Sequence, residues 1–135
     1  MKIQFTTEAE IREQFPEAKI SNGLVEKIDL QVVGHFGNLV TFDMPISSGG
    51  GISNPLAGYN STISCGVHIK ILFEILGISE EDGIRISEIK DVPCRVVFSQ
   101  FHMVAVGNFM DDKFIVFKEL PDKYDEFMAE LNESR

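Results

Sequence analysis

Positive charge is scarce in this sequence. Twelve Lys and Arg stand against 21 Asp and Glu, giving a formal net charge of -9, and no Lys or Arg occurs between Lys27 and Lys70. Each contact to a phosphate backbone needs a neutralising cation, so the balance argues against direct nucleic-acid binding. Cysteine is scarce too: Cys65 and Cys94 are the two, far below the density of a disulfide scaffold, and reduced thiols in a cytosolic protein are expected. The opening residues MKIQFTTEAEIREQ hold no apolar leader core and no apolar run approaches spanning length, so a soluble protein of the cytoplasm, without membrane contact, is expected. Repeats, linkers and low-complexity segments are missing as well. The 135 residues, 44% of them apolar, suffice for one ordinary core and not for two comfortable domains, so residues 1–135 are expected to form a single domain.

Local patterns divide the chain into elements. Thr7 precedes Glu8, Ala9 and Glu10 with the spacing of a capping box, which predicts a short helix to Gln14, ended by Pro16. From Leu24 to Val33, the residues Leu24, Ile28, Leu30 and Val32 share one parity and Lys27, Asp29 and Gln31 the other, the mark of a half-buried strand. Gly34, His35, Phe36, Gly37 and Asn38 supply turn chemistry, and Val40, Phe42, Met44 and Ile46 alternate beyond them, so the two runs predict a hairpin. Cys65 to Ile78 reads as a helix with almost continuous apolar cover and a narrow polar side of His68, Lys70 and Glu74, to be stopped at Gly77. A helical turn over Ser87 to Asp91 follows, then strands around Cys94 to Ser99, Phe101 to Val106 and Phe114 to Phe117. Tyr124, Phe127, Met128 and Leu131 form the apolar face of a C-terminal amphipathic helix over Pro121 to Leu131. The order implies an α+β fold, a mainly antiparallel sheet or small barrel with a central packed helix and short terminal helices.

Between hairpin and central helix lies Ser47 to Ser64, SSGGGISNPLAGYNSTIS, the strongest candidate for a site. Its glycines Gly49, Gly50 and Gly51 would let backbone approach a ligand, and Asn60, Ser61, Thr62 and Ser64 at a helix start would offer donors to an anion. Asn54, Tyr59 and, from a later strand, Arg95 complete the expected ligand-binding set. The stretch has no GxxxxGK[ST] of a Walker loop, so nucleotide hydrolysis is disfavoured. The plainer alternative is a connecting loop in which Asn54 and Pro55 make a turn and Asn60 or Ser61 caps the helix.

Other residues carry weaker chemistry. Cys65 and His68, three apart on a helix, could begin a metal site, but Cys94, His102 and His35 are scattered singly where a closed zinc site wants four ligands. No metal or other cofactor is therefore expected, and a buried thiol with His68 at its edge is the plainer reading. An enzyme built on His68, His102 and Cys94 is a third possibility, and catalysis is not the favoured one. Arg95, and with it Arg85, draws notice because cations are few; Arg95 either lines a groove or pairs with an acid on the sheet surface. Phe36, Tyr59, Phe101 and Phe109 fall in or beside turns, where aromatics can stack on a partner. Asp111 and Asp112 read as a turn. The acids Glu80, Glu81 and Asp82, and Glu119, Asp122, Asp125, Glu126, Glu130 and Glu133, are either solvated helix faces or a surface that mimics phosphates.

From Gly34 to Glu119 the chain resembles a group of small uncharacterised phage and prophage accessory proteins. The resemblance rests on Gly49 to Gly51 with Ala57, Gly58 and Tyr59, on Ile75, Leu76, Gly77 and Ile78, on Lys90 to Val96, and on Asp112, Lys113 and Phe114. The chain departs from the group at Ala57 and Asn60, in its N-terminal helix and in its acidic C-terminal helix. The resemblance implies a viral accessory role in the cytoplasm of a host cell. Two functions are expected from the whole: a non-enzymatic homo-oligomer that binds or sequesters a phosphate-bearing small ligand or host protein through the Gly-rich loop, or an acidic decoy of a host nucleic-acid-binding enzyme.

Overall fold

A computed structural model describes residues 4–33, 39–47, 50–53, 62–79, 83 and 85–133, with backbone alone for 30–33, 39–43, 50–53 and 62–65. The fold is α+β. Helix α1 (Glu8–Gln14) begins at the capping box: the Thr7 hydroxyl accepts from the Glu10 amide at 3.3 Å, and Glu10 Oε1 accepts from the Thr7 amide at 3.2 Å. Strands β1 (Lys19–Val25), β2 (Asp29–Val33), β3 (Leu39–Ile46) and β4 (Gly50–Ser53) follow, then α2 (Thr62–Leu76), a 3₁₀ turn at Ile86–Glu88, β5 (Val92–Ser99), β6 (His102–Asn108), β7 (Phe114–Val116) and α3 (Leu120–Glu133). Every strand pair is antiparallel, in the order β2-β3-β1-β5-β6-β7 with β4 on β3.

The hairpin of β2 and β3 forms as expected, with Asp29 opposite Asp43 and Val33 opposite Leu39. Two expectations need correction. The first strand starts at Lys19, and its inward residue is Val25, fully buried, while Leu24 is 41% exposed. Val25 and Asp29 are four positions apart, but their partners Ile46 and Asp43 are three positions apart. That one-residue slip reverses the parity between Leu24 and Ile28. The second correction concerns the Gly-rich segment, part of which is a strand: Gly50 pairs with Ile46 and Gly51 with Pro45. The expected turn over Ser87 to Asp91 lies at Ile86–Glu88, and Asp91 leaves it with a φ of 54°.

The strands β5, β6 and β7 are buried on both faces. Cys94, Val96, Val106 and Ile115 join the larger core with Ile71, Leu72 and Ile75 of α2 and Phe127 of α3. Val97, Ala105, Phe114 and Val116 face the other way and close a smaller core with Ile11 of α1 and Ala18. Helix α2 is thus central, covered on most sides, and α3 lays its Tyr124, Phe127 and Met128 stripe against the same core. Gly77 ends α2 with a φ of 76°: its amide donates to Glu74 O, and the Ile78 amide to Phe73 O at 3.0 Å, the Schellman arrangement.

Candidate functional site

Of the expected ligand-binding residues, Gly49, Asn54, Tyr59, Asn60 and Ser61 lie outside the described residues, as do Phe36, His35 and Glu80 to Asp82. Gly50 and Gly51 belong to β4, and Thr62 is the first residue of α2. Arg95 is committed elsewhere. Its Nε donates to Asn108 O at 2.8 Å, Nη2 to Asp111 O at 2.7 Å and Nη1 to Glu8 Oε1 at 3.2 Å. All three nitrogens are engaged, and the guanidinium lies 4.5 Å from the Phe114 ring centre. Of the two readings of Arg95, the arginine paired with an acid is the one observed.

The local sequence explains this arrangement. Arg95, Gly107 and Phe114 are cross-strand neighbours on β5, β6 and β7. A Cβ on Gly107 would overlap the Phe114 ring, so glycine there lets the ring lie across β6 beneath the guanidinium. Asn108, next in sequence and buried, uses both ends of its amide. Nδ2 donates to Ile75 O at 3.0 Å, satisfying a carbonyl in the last turn of α2, and Oδ1 accepts from the Met110 and Asp111 amides. Asp111 and Asp112 form a turn as expected, and Asp112 does more: its Oδ1 accepts from the Glu8 amide at 2.7 Å, capping α1 across 104 residues of sequence.

Among the described residues, the thiol of Cys94 and the imidazole of His102 do not converge. Cys94 is fully buried in the sheet, and burial pushes its thiol up to about 11. His68 is buried on α2, stacked on Tyr124 with ring centres 5.2 Å apart. His102 is exposed and starts β6, six residues from Asn108, the partner of Cys94, hence roughly 20 Å along the strand. Among the described residues no group of three His, Cys, Asp or Glu is placed to hold a metal ion. The enzyme reading required these side chains together, and the fold holds His102 apart from Cys94.

What the fold does assemble is an acidic cleft of about 300 Å³ between the N-terminal segment, α1 and α3. It is lined by Glu10 and Gln14 of α1, by Asp122, Lys123 and Glu126 of α3, and by Thr6 and Glu119. Neutral donors fix two of the carboxylates without neutralising them: Glu119 accepts from Thr6 Oγ1 and Gln14 Nε2, each at 3.3 Å, and Glu10 from Thr7. The cation of the cleft, Lys123, lies 3.5 Å from Glu126. Sequence reasoning placed Glu119, Asp122 and Glu126 on an acidic face, but Glu10 only in its capping box. Nothing local could have joined residues 4–14 to 119–126, because the bridge between Thr6 and Phe114 is what brings them together. The turn aromatics Phe101 and Phe109 are exposed, at opposite ends of β6.

Among the described residues no helix is long and apolar enough to cross a membrane. Comparison with protein-family models finds no match, and no curated protein or solved structure matches the chain either.

Proposed function

We propose that this is a non-enzymatic binding protein that offers its acidic cleft, and the acidic outer face of α3, to a basic protein surface. In this reading it is a decoy whose carboxylates occupy the nucleic-acid-binding surface of a partner. The observation that carries the proposal is the cleft itself, in which Glu10, Glu119, Asp122 and Glu126 stand against the single ammonium of Lys123. A net charge of -9 supports it, because a field of one sign speeds encounter with a basic partner and repels DNA from the same surface. Asp122 and Glu126 are exposed on α3, and the neighbouring exposed Asp125 extends the negative surface beyond the cleft. A cytoplasmic accessory protein of the viral type implied by the sequence would act in this way on a host factor. The alternative, a phosphate-bearing ligand held by the Gly-rich loop, draws less support, because Arg95, its expected cation, is engaged by Glu8, Asn108 and Asp111.

A displacement assay tests the proposal. A basic DNA-binding domain is loaded with a labelled duplex, and the protein is added at rising concentration in low and physiological salt. The expected result is release of the duplex, weakening as salt rises. No release at any salt, together with retention of a nucleotide by the purified protein, overturns the proposal in favour of the loop.

A further inference from the structure

The cleft has one wall that is weakly built. Helix α1 is seven residues long, and its one fully buried residue is Ile11. A helix this short is marginal in water on its own, so its helicity depends on docking. Two of its docking contacts lie away from the cleft: Asp112 caps the Glu8 amide, and Glu8 Oε1 pairs with Arg95. Neither Glu8, Arg95 nor Asp112 lines the cleft, whereas Glu10 and Gln14, on the same two turns of helix, do. The opposite wall on α3 is fixed by Leu120 and Phe127 in the larger core. Undocking α1 would therefore remove two of the lining side chains, release the Gln14 bond to Glu119, and bare Phe114 and Val97 of the smaller core.

We infer that α1 is a latch whose docking assembles the acidic cleft, so that a cationic partner and the docked helix stabilise one another. The inference rests on the reading of the cleft as a binding site. Linkage requires the coupling to be reciprocal: the factor by which docking improves partner affinity is the factor by which the partner favours docking. The most sensitive point is Asp112, because its carboxylate holds the first turn of α1 without contributing to the cleft.

Amide hydrogen exchange on the full chain, with poly-lysine as the cationic probe, tests this. In the free protein the amides of Ile11 and Phe15, which bond to Thr7 O and Ile11 O, should exchange about tenfold or more faster than those of Val97 and Ala105, through local opening. Asp112→Ala should speed the α1 amides about fivefold more than Asp112→Asn does, since both lose the charge and Asn keeps a capping oxygen. Poly-lysine should slow the α1 amides of the unsubstituted protein, and should bind Asp112→Ala more weakly than Asp112→Asn. Exchange of α1 at the rate of the sheet, or equal behaviour of the two variants, overturns the latch. If poly-lysine fails to bind at all while the two variants still differ in exchange, the cleft's reading as a binding site fails and the latch stands as a local opening of the fold.

Discussion

The two faces of the central sheet are held in different ways. On one, α2 and α3 bury a continuous apolar core containing Ile71, Leu72, Ile75 and Phe127. On the other, α1 contributes Ile11 to a small core with its C-cap Phe15 packed beside it, and much of its attachment is polar: a cap from Asp112, an ion pair from Glu8 to Arg95, the Gln14 bond to Glu119, and the backbone bridge of Thr6 to Phe114. The difference separates stability from adaptability. Burial of large side chains anchors the α2 face to global folding, whereas a short helix held by a few directional contacts can open alone. The candidate site lies at the seam, with one wall on each kind of support.

The contrast is broken most forcefully by truncating each core. Leu72→Ala should reduce stability by about 2–5 kcal/mol, because α2 cannot leave the core to relieve the cavity. Ile11→Ala should lose less than about 2 kcal/mol, since α1 can undock instead. Denaturant titration of both variants checks this, and equal losses would mean that the two faces are alike.

Glycines sharpen the same comparison at a smaller scale. Gly107→Ala should lower stability by about 1–3 kcal/mol, because the new methyl meets the Phe114 ring that supports Arg95. Gly66 in α2 has open space where a Cβ would stand, so Gly66→Ala should stabilise by about 0.5–1 kcal/mol through helix propensity. Thermal unfolding of the pair gives both signs in one experiment.

Cys94 reports on the α2 face through pH. Its thiol is raised by burial from 9.0 to about 11, so folding favours the protonated form. The stabilising contribution is complete below the unfolded value and is lost as pH rises through 9 to 11. Alkylation of Cys94 in the folded protein should be slow at neutral pH, and the stability of the wild type should fall more steeply above pH 9 than that of Cys94→Ala.

Much of this architecture was legible where the signal is local. The capping box at Thr7 and Glu10 fixed the start of α1, and the spacing of Tyr124, Phe127 and Met128 marked the buried stripe of α3. Gly77 stopped α2 as its position suggested. The register of β1 was not legible, because the slip between Val25 and Asp29 is a property of the pairing and not of either strand. Strand β1 also hid behind its exposed Lys19, Ser21 and Asn22, which interrupt any apolar alternation. Strand β4 hid behind glycines, whose intrinsic tendency toward strand is poor and whose pairing with β3 supplies the order. The site was the least legible part. Arg95 looked available because Glu8, its partner, lies 87 residues away, and the cleft joins the two ends of the described chain through contacts that no spacing encodes.

The proposed function requires the acidic cleft between α1 and α3 to receive a cationic partner. Poly-lysine binding measured against salt concentration, for a variant combining Glu10→Gln, Glu119→Gln, Asp122→Asn and Glu126→Gln and for one neutralising four acids elsewhere (Glu26→Gln, Asp29→Asn, Glu88→Gln and Asp91→Asn), tests it most directly. The cleft variant should bind about tenfold or more weakly, with a shallower salt slope, while the other stays near the wild type. Equal losses in the two variants would show that only overall charge matters and that the cleft is not the binding surface.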